Sequence, residues 1–153
     1  MKRYVLILLL FAVLFDACSK NNLSKIPHIS LVALVPQDSF IINVDTAFYM
    51  VFKFTDGDGD LSNDTNSGVY IKDSRFPALG FTKNLFPTID AAIENPKNGL
   101  SGTCYFFPLP QPAPRGDSIH QLEGDTLAYE FYITDRAGNQ SNHIITSSYV
   151  VRL

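Results

Sequence analysis

The sequence predicts an all-β protein, a two-sheet antiparallel sandwich of about seven strands preceded by a signal peptide. Short runs of β-branched and aromatic residues alternate with clusters of Gly, Pro, Asn and Asp, which is typical of strands joined by turns. Only residues 88–94 carry a brief helical pattern. Short strands without a long helix indicate either a sandwich or a barrel.

Six stretches have the composition and alternation of strands. They are residues 28–35, 46–55, 68–72, 102–107, 126–134 and 143–152. Shorter strands are predicted within residues 41–44 and 76–86. Proline at every second position from Pro108 to Pro114 prevents regular pairing, so this segment is expected to run extended along an edge, as a stiff connection or as a contact for a partner.

Two of these strands share a pattern that favours the sandwich. Each has apolar side chains at alternate positions and ends in Thr-Asp. The alternating residues are Phe48, Met50, Phe52 and Phe54 in one strand and Leu127, Tyr129, Phe131 and Ile133 in the other. Because alternate side chains share one face, we expect these strands to lie in opposite sheets as the central strands of an immunoglobulin-like sandwich. The other interpretation is that any two buried strands alternate in this way.

Residues 1–17 are predicted to be a signal peptide. Two of the first three residues are basic, and the apolar run over residues 4–15 is too short to span a bilayer comfortably. Residues 18–26 are then a polar linker, and residues 27–153 form one immunoglobulin-like domain.

The end of this leader resembles the lipobox of bacterial lipoproteins. Cys18 follows the small residue Ala17, as in that motif, whereas Phe15 and Asp16 depart from the Leu and small residue usual there. The resemblance implies a lipid on the Cys18 thiol, and hence a membrane anchor at the outer membrane or cell surface. The other interpretations are an ordinary leader or a signal anchor with an incidental cysteine.

The net charge bears on the class of partner, and the cysteine count bears on disulfide formation. Without residues 1–17 the chain has 10 basic and 14 acidic residues, a net charge of −4, which argues against nucleic acid. If Cys18 carries lipid, Cys104 has no partner for a disulfide within the chain and is expected in the core.

An acidic loop follows the first of the two alternating strands. Asp56, Asp58 and Asp60 place three carboxylates within five residues, and a hard cation with oxygen ligands relieves their repulsion. With Asp64, their spacing matches four ligand positions of an EF-hand loop. Leu61, however, replaces the turn glycine of that motif. We therefore predict a calcium site of the kind found in sandwich loops; the alternative is a solvated turn without metal.

The remaining ligands are expected from the second Thr-Asp turn. Asp135 and Asn139 lie in it, and the two corresponding loops of an immunoglobulin-like sandwich meet at the same end. The other interpretation of this turn is a structural hairpin with Gly138 in a left-handed conformation.

Taken together, several segments resemble small Bacteroidota-type lipoproteins with an immunoglobulin-like fold. These are the lipobox-like Cys18, the segment Phe54-Thr55-Asp56-Gly57-Asp58-Gly59-Asp60-Leu61, the segment Ile71-Lys72-Asp73-Ser74-Arg75, and residues 133–142. The resemblance spans most of the chain and implies the architecture. The Asp-Gly-Asp-Gly-Asp turn of that family corresponds to Asp56, Asp58 and Asp60, and no catalytic residue carries over.

Enzymatic alternatives have little support in the sequence. Gly116-Asp117-Ser118-Ile119 is similar to the nucleophile block of GDS-type esterases, but it lies late in the chain after a proline run. The three histidines lack metal-ligand spacing. We therefore expect a non-enzymatic binding or adhesion module with a protein or glycan partner. The alternative is an accessory subunit of an envelope complex for nutrient uptake or polysaccharide handling.

Overall fold

The computed structural model describes residues 23–61, 65–90, 99–108 and 111–153. The predicted signal peptide, Cys18 and Asp64 lie outside the described residues. Within these ranges, no helix has the length and apolar character needed to cross a membrane.

The described chain is almost entirely β. In chain order the strands are β1 (His28–Val35), β2 (Ser39–Ile41), β3 (Tyr49–Asp56), β4 (Gly68–Asp73), β5 (Thr82–Asn84), β6 (Leu100–Phe106), β7 (Asp125–Leu127), β8 (Tyr129–Thr134), β9 (Ile144–Ile145) and β10 (Tyr149–Arg152). A 3-10 helix covers Pro77–Leu79, and a short helix, α1, covers Ser118–Glu123. The strands form three sheets with the orders β1-β3-β6, β2-β10-β7 and β5-β4-β8-β9. All pairs are antiparallel except β2 with β10.

The all-β prediction is confirmed, and the arrangement is consistent with a sandwich. The number of strands was wrong: the described residues form ten strands in three sheets. One cause is a break at Ala128, where the predicted strand 126–134 divides into β7 and β8. The amide of Ala128 donates to Ser74 Oγ and that of Tyr129 to Thr146 Oγ1. Because side chains take these donors, the ladder is interrupted and the chain passes to another sheet.

The one described α-helix was not predicted. Asp117 caps α1 by accepting a hydrogen bond from the His120 amide at 3.0 Å, and Gly124 follows the helix with φ +91°. An Asp before and a Gly after a short segment are the usual signals of helix ends. The predicted helix over 88–94 is not present in its described part, residues 88–90.

The two alternating strands pack against each other in the core. β3 lies in the first sheet and β8 in the third, and the rings of Phe52 and Phe131, both fully buried, are 5.5 Å apart. The expected face-to-face arrangement of the two strands is therefore confirmed.

Cys104 on β6 is buried with a free thiol, and burial raises the pKa of that thiol to about 12.

The strand directions define two ends of the sandwich. Asp56 on β3 pairs with Leu100 on β6 at one end, where β8 also finishes at Thr134; we call this the aspartate end. β8 begins at the other end with Tyr129, which pairs with Asp73 on β4. We call this the proline end, after Pro112 and Pro114, which lie near these two residues. Strands of this length separate the two ends by roughly 20 Å.

Candidate metal centre

The first loop of the aspartate end folds around Asp56. This residue ends β3 and is fully buried, and its Oδ2 accepts a hydrogen bond from the Asp60 amide at 2.9 Å. Gly59 between them is buried with φ +68°, a conformation that side chains rarely adopt. The turn therefore brings the three aspartates of this loop together.

The second loop folds around Asp135 in a similar way. Asp135 follows β8, is fully buried, and accepts hydrogen bonds at 2.7 Å from both the backbone and the side-chain nitrogen of Asn139. The Gly138 amide donates to the Asp135 carbonyl, and Gly138 has φ +86°. The left-handed glycine expected for a hairpin is thus present in this turn.

Direct hydrogen bonds join the two loops. The Arg136 amide donates to the Asp60 carbonyl at 3.1 Å, and the Ala137 amide donates to Asp60 Oδ2 at 3.2 Å. The Arg136 Nε also donates to the Asp60 carbonyl, at 3.2 Å. These bonds fix the position of Asp60 relative to Asp135.

Four carboxylates converge where the loops meet. Asp56, Asp58, Asp60 and Asp135 each offer an oxygen, and these oxygens all lie within 4.8 Å of one another. We call this group the acidic cluster. The Oδ1 atoms of Asp56, Asp58 and Asp60 are buried and have no hydrogen-bond partner. Buried polar atoms almost always have partners, so these three oxygens are available as ligands for a cation.

The pKa shifts in the cluster reflect the same imbalance. Burial, together with the charges of Asp58 and Asp60, raises the pKa of Asp56 to about 7, and the hydrogen bond from the Asp60 amide opposes this rise. Burial also raises the pKa of Asp60, assisted by the charges of Asp135 and Asp58 and opposed by the Ala137 amide and the Arg136 charge. A bound cation favours the charged carboxylates and so opposes these shifts.

The donor set matches a hard metal ion. Two oxygens bound to one ion at about 2.4 Å are at most ~4.8 Å apart, and the oxygens of the acidic cluster satisfy this limit. The cluster can therefore hold a metal ion, and its geometry alone does not select calcium.

The structure thus brings together four of the six predicted metal ligands, which are the four aspartates of the cluster. Asn139 supports Asp135 through its amide nitrogen, and Asp64 lies outside the described residues. The Arg136 and Ala137 amides donate hydrogen bonds to Asp60 and fix its position. No sequence pattern predicted this role, because it depends on the tertiary contact between the two loops.

A second charged group was also missed. Asp125 is buried, and its Oδ2 accepts from Arg75 Nη1 at 3.1 Å and from Arg115 Nε at 3.0 Å. Arg75 also binds Asp73, with Nη2 at 2.5 Å from Oδ2. These residues lie at the proline end, and Arg75 and Asp125 are 50 positions apart in sequence, so no local spacing indicated that they pair.

The residues of the esterase alternative have structural contacts in this fold. Ser118 is the exposed first residue of α1. The His120 ring bonds to Asp117 through Nδ1 and to Arg115 through Nε2 at 2.8 Å. Both ring nitrogens are therefore engaged by neighbours other than Ser118.

Neither a scan against models of known protein families nor a search of curated proteins finds a match to this chain.

Proposed function

We propose that this chain is a lipid-anchored, non-enzymatic binding or adhesion module of the bacterial cell envelope, in which calcium joins the two loops of the aspartate end. The scaffold would then be that of a small Bacteroidota-type lipoprotein with an immunoglobulin-like sandwich. The observation that carries the proposal is the acidic cluster, in which the two loops contribute four carboxylates and three buried oxygens lack partners.

Calcium suits the cluster better than magnesium because its coordination geometry is more flexible. Magnesium requires oxygens at about 2.0–2.1 Å in near-ideal octahedral geometry, whereas calcium accepts six to eight oxygens in flexible arrangements. The cluster draws on two loops, and Asp58 and Asp60 keep partial access to water. Water can therefore complete a flexible coordination shell.

The position of the N-terminal segment supports a role for the site near the membrane. The Gly57 amide donates to the Ser24 carbonyl at 2.7 Å, so the chain enters the domain beside the acidic loop. Even fully extended, the stretch from Cys18 to Ser24 spans only ~20 Å. A lipid on Cys18 would hold the aspartate end close to the bilayer.

Thermal unfolding with and without calcium tests the proposal. A ligand at 100 times its dissociation constant stabilises the folded state by ~2.7 kcal/mol, which raises the melting temperature of a domain of this size by on the order of 10 °C. We expect this rise in the unlipidated mature chain and its loss in Asp58→Asn. Without calcium the same variant should melt higher than the wild type, because one like charge is removed from the cluster.

The matched control is Asp38→Asn, which removes an exposed carboxylate outside the cluster. It should retain the calcium-dependent rise. Identical melting of the wild type in calcium and in chelator would refute the metal site.

The alternative function, an accessory subunit of a nutrient-uptake or polysaccharide-handling complex, is favoured by one surface. Among the described strands β6 lies at an edge of its sheet, and Tyr105 on it and Phe107 directly after it are 61% and 49% exposed. An edge strand with exposed aromatic side chains suits a protein partner. Affinity capture from detergent-solubilised membranes separates the two functions, since a stoichiometric partner supports the subunit and its absence supports the free module.

A further inference from the structure

A cavity of about 640 Å³ lies at the proline end. Its volume falls within the ~300–1,000 Å³ typical of small-molecule pockets. One wall is formed by residues 111–114, which we call the proline segment, and the other is the chain after β4, including Phe76 and Leu79. It is thus separate from the acidic cluster.

Apolar side chains dominate the rim of this cavity. Leu79 is 76% exposed and Phe76 is 40% exposed, and both line it. Prolines in the opposite wall are stiff because their φ angles are fixed. An apolar ligand would therefore bury exposed apolar surface against a wall that loses little conformational entropy.

The charges around the cavity balance one another. Two arginines, Arg75 and Arg115, line it, and they are paired with Asp73 and Asp125. Arg75 is almost fully buried, and its Nη1 also donates to the Ala113 carbonyl at 2.6 Å, which fastens the proline segment across the cavity. With Asp125 behind the wall included, these four charges sum to zero, so an ionic ligand would find no net charge to neutralise.

The Arg115 guanidinium offers a hydrogen-bond donor to a ligand. The Arg115 side chain is 39% exposed, and its hydrogen bonds to Asp125 and His120 use Nε and Nη2. Within the described residues, Nη1 of Arg115 has no hydrogen-bond acceptor. An acceptor oxygen on a bound molecule would complete its bonding.

We propose that the cavity binds an uncharged, mainly apolar small molecule that carries a carbonyl-type acceptor for Arg115. The site lies at the end of the sandwich opposite the acidic loop and the N-terminal segment, so it would face away from the membrane. The proposal goes beyond the proposed function and depends neither on calcium nor on the lipid.

The test uses the fluorescent naphthyl ketone Prodan, an uncharged probe with a carbonyl acceptor, and the unlipidated mature chain. We expect a saturable change in emission with one site per chain. Leu79→Glu should weaken binding at least ~10-fold, because a charge replaces an apolar contact at the rim. Ala113→Trp should do the same by filling the cavity.

The control is Leu122→Glu, the same change at a leucine on α1 that is 87% exposed and does not line the cavity. It should bind Prodan as the wild type does. The anionic probe 1-anilinonaphthalene-8-sulfonate should bind more weakly than Prodan. The proposal is overturned if Prodan binding is not saturable, if neither cavity variant weakens it, if Leu122→Glu weakens it equally, or if the anionic probe binds as tightly.

Discussion

Asp56 and Asp125 are both fully buried, yet their pKa values shift in opposite directions. Burial and two neighbouring carboxylates together raise the pKa of Asp56 to about 7. Burial also disfavours the charge of Asp125, but the hydrogen bonds and charges of Arg115 and Arg75 outweigh it and lower its pKa to about 2. The neighbours of each carboxylate therefore decide its charge. Asp125 is paired within the protein, whereas Oδ1 of Asp56 has no hydrogen-bond partner and could bind a cation.

The Asp125 network should contribute to stability in a pH-dependent way. A carboxyl whose folded pKa is depressed stabilises the protein above its unfolded pKa, near 3.8, and loses that contribution as pH falls through about 2. We expect Asp125→Asn to lower the free energy of unfolding at pH 7 by about 3 kcal/mol, since it leaves buried Arg75 without one of its partners.

Urea unfolding between pH 7 and pH 2 measures this effect. The difference between wild type and Asp125→Asn should narrow below pH ~4, whereas the exposed Asp38→Asn should change stability little. A constant difference across the whole range would contradict the assigned role of the Asp125 charge.

At the scale of elements, β3 and β8 place the two loops together. Each has buried side chains at alternate positions. β3 ends at Asp56, and β8 ends at Thr134, immediately before Asp135. This arrangement was predictable because alternation reports which face is buried, and the Thr-Asp ends mark where the loops begin. Two predicted strands are each divided in the structure: 126–134 into β7 and β8, and 143–152 into β9 and β10. These divisions were not predictable, since they depend on side-chain hydrogen bonds and on pairing between residues distant in sequence.

The contact of the N-terminal segment with the acidic loop depends on Gly57. A Cβ at this position would lie 2.3 Å from the Leu23 carbonyl oxygen and 2.7 Å from that of Ser24, and these backbone atoms cannot rotate away. We expect Gly57→Ala to destabilise the domain by about 1–3 kcal/mol and to release residues 23–24 for proteolysis.

The matched control is Gly116→Ala, where a Cβ would meet nothing within 4 Å. Chemical denaturation of both variants, with limited proteolysis followed by mass spectrometry, makes the comparison. Equal stability and equal cleavage of the two variants would show that the N-terminal segment does not pack beside the loop.

At the scale of the whole molecule, the acidic cluster and the cavity lie at opposite ends. The N-terminal segment enters at the aspartate end, so an anchor at Cys18 would orient the cavity outward. The sequence predicted the four aspartates because they lie in two short loops. It did not predict the cavity, whose walls come from separate segments that meet only in the folded chain.

Membrane attachment is predicted to require Cys18. In a bacterial host that processes lipoproteins, the wild type should sediment with membranes and need detergent for release. Labelled fatty acid should be incorporated into the wild type and not into Cys18→Ser, which lacks the thiol that accepts the lipid. Cys104→Ser, a change at a buried thiol, is the control and should stay with the membranes. Equal incorporation of the labelled fatty acid into Cys18→Ser would contradict the lipid anchor.

Calorimetric titration of calcium into the chelator-treated mature chain tests the cation site most directly. The two loops together predict one saturable site per chain, lost in Asp58→Asn from the first loop and in Asp135→Asn from the second. Asp38→Asn should bind as the wild type does. Absence of saturable binding by the wild type up to ~10 mM calcium, beyond the ~0.1–1 mM range of weak extracellular sites, would contradict the account.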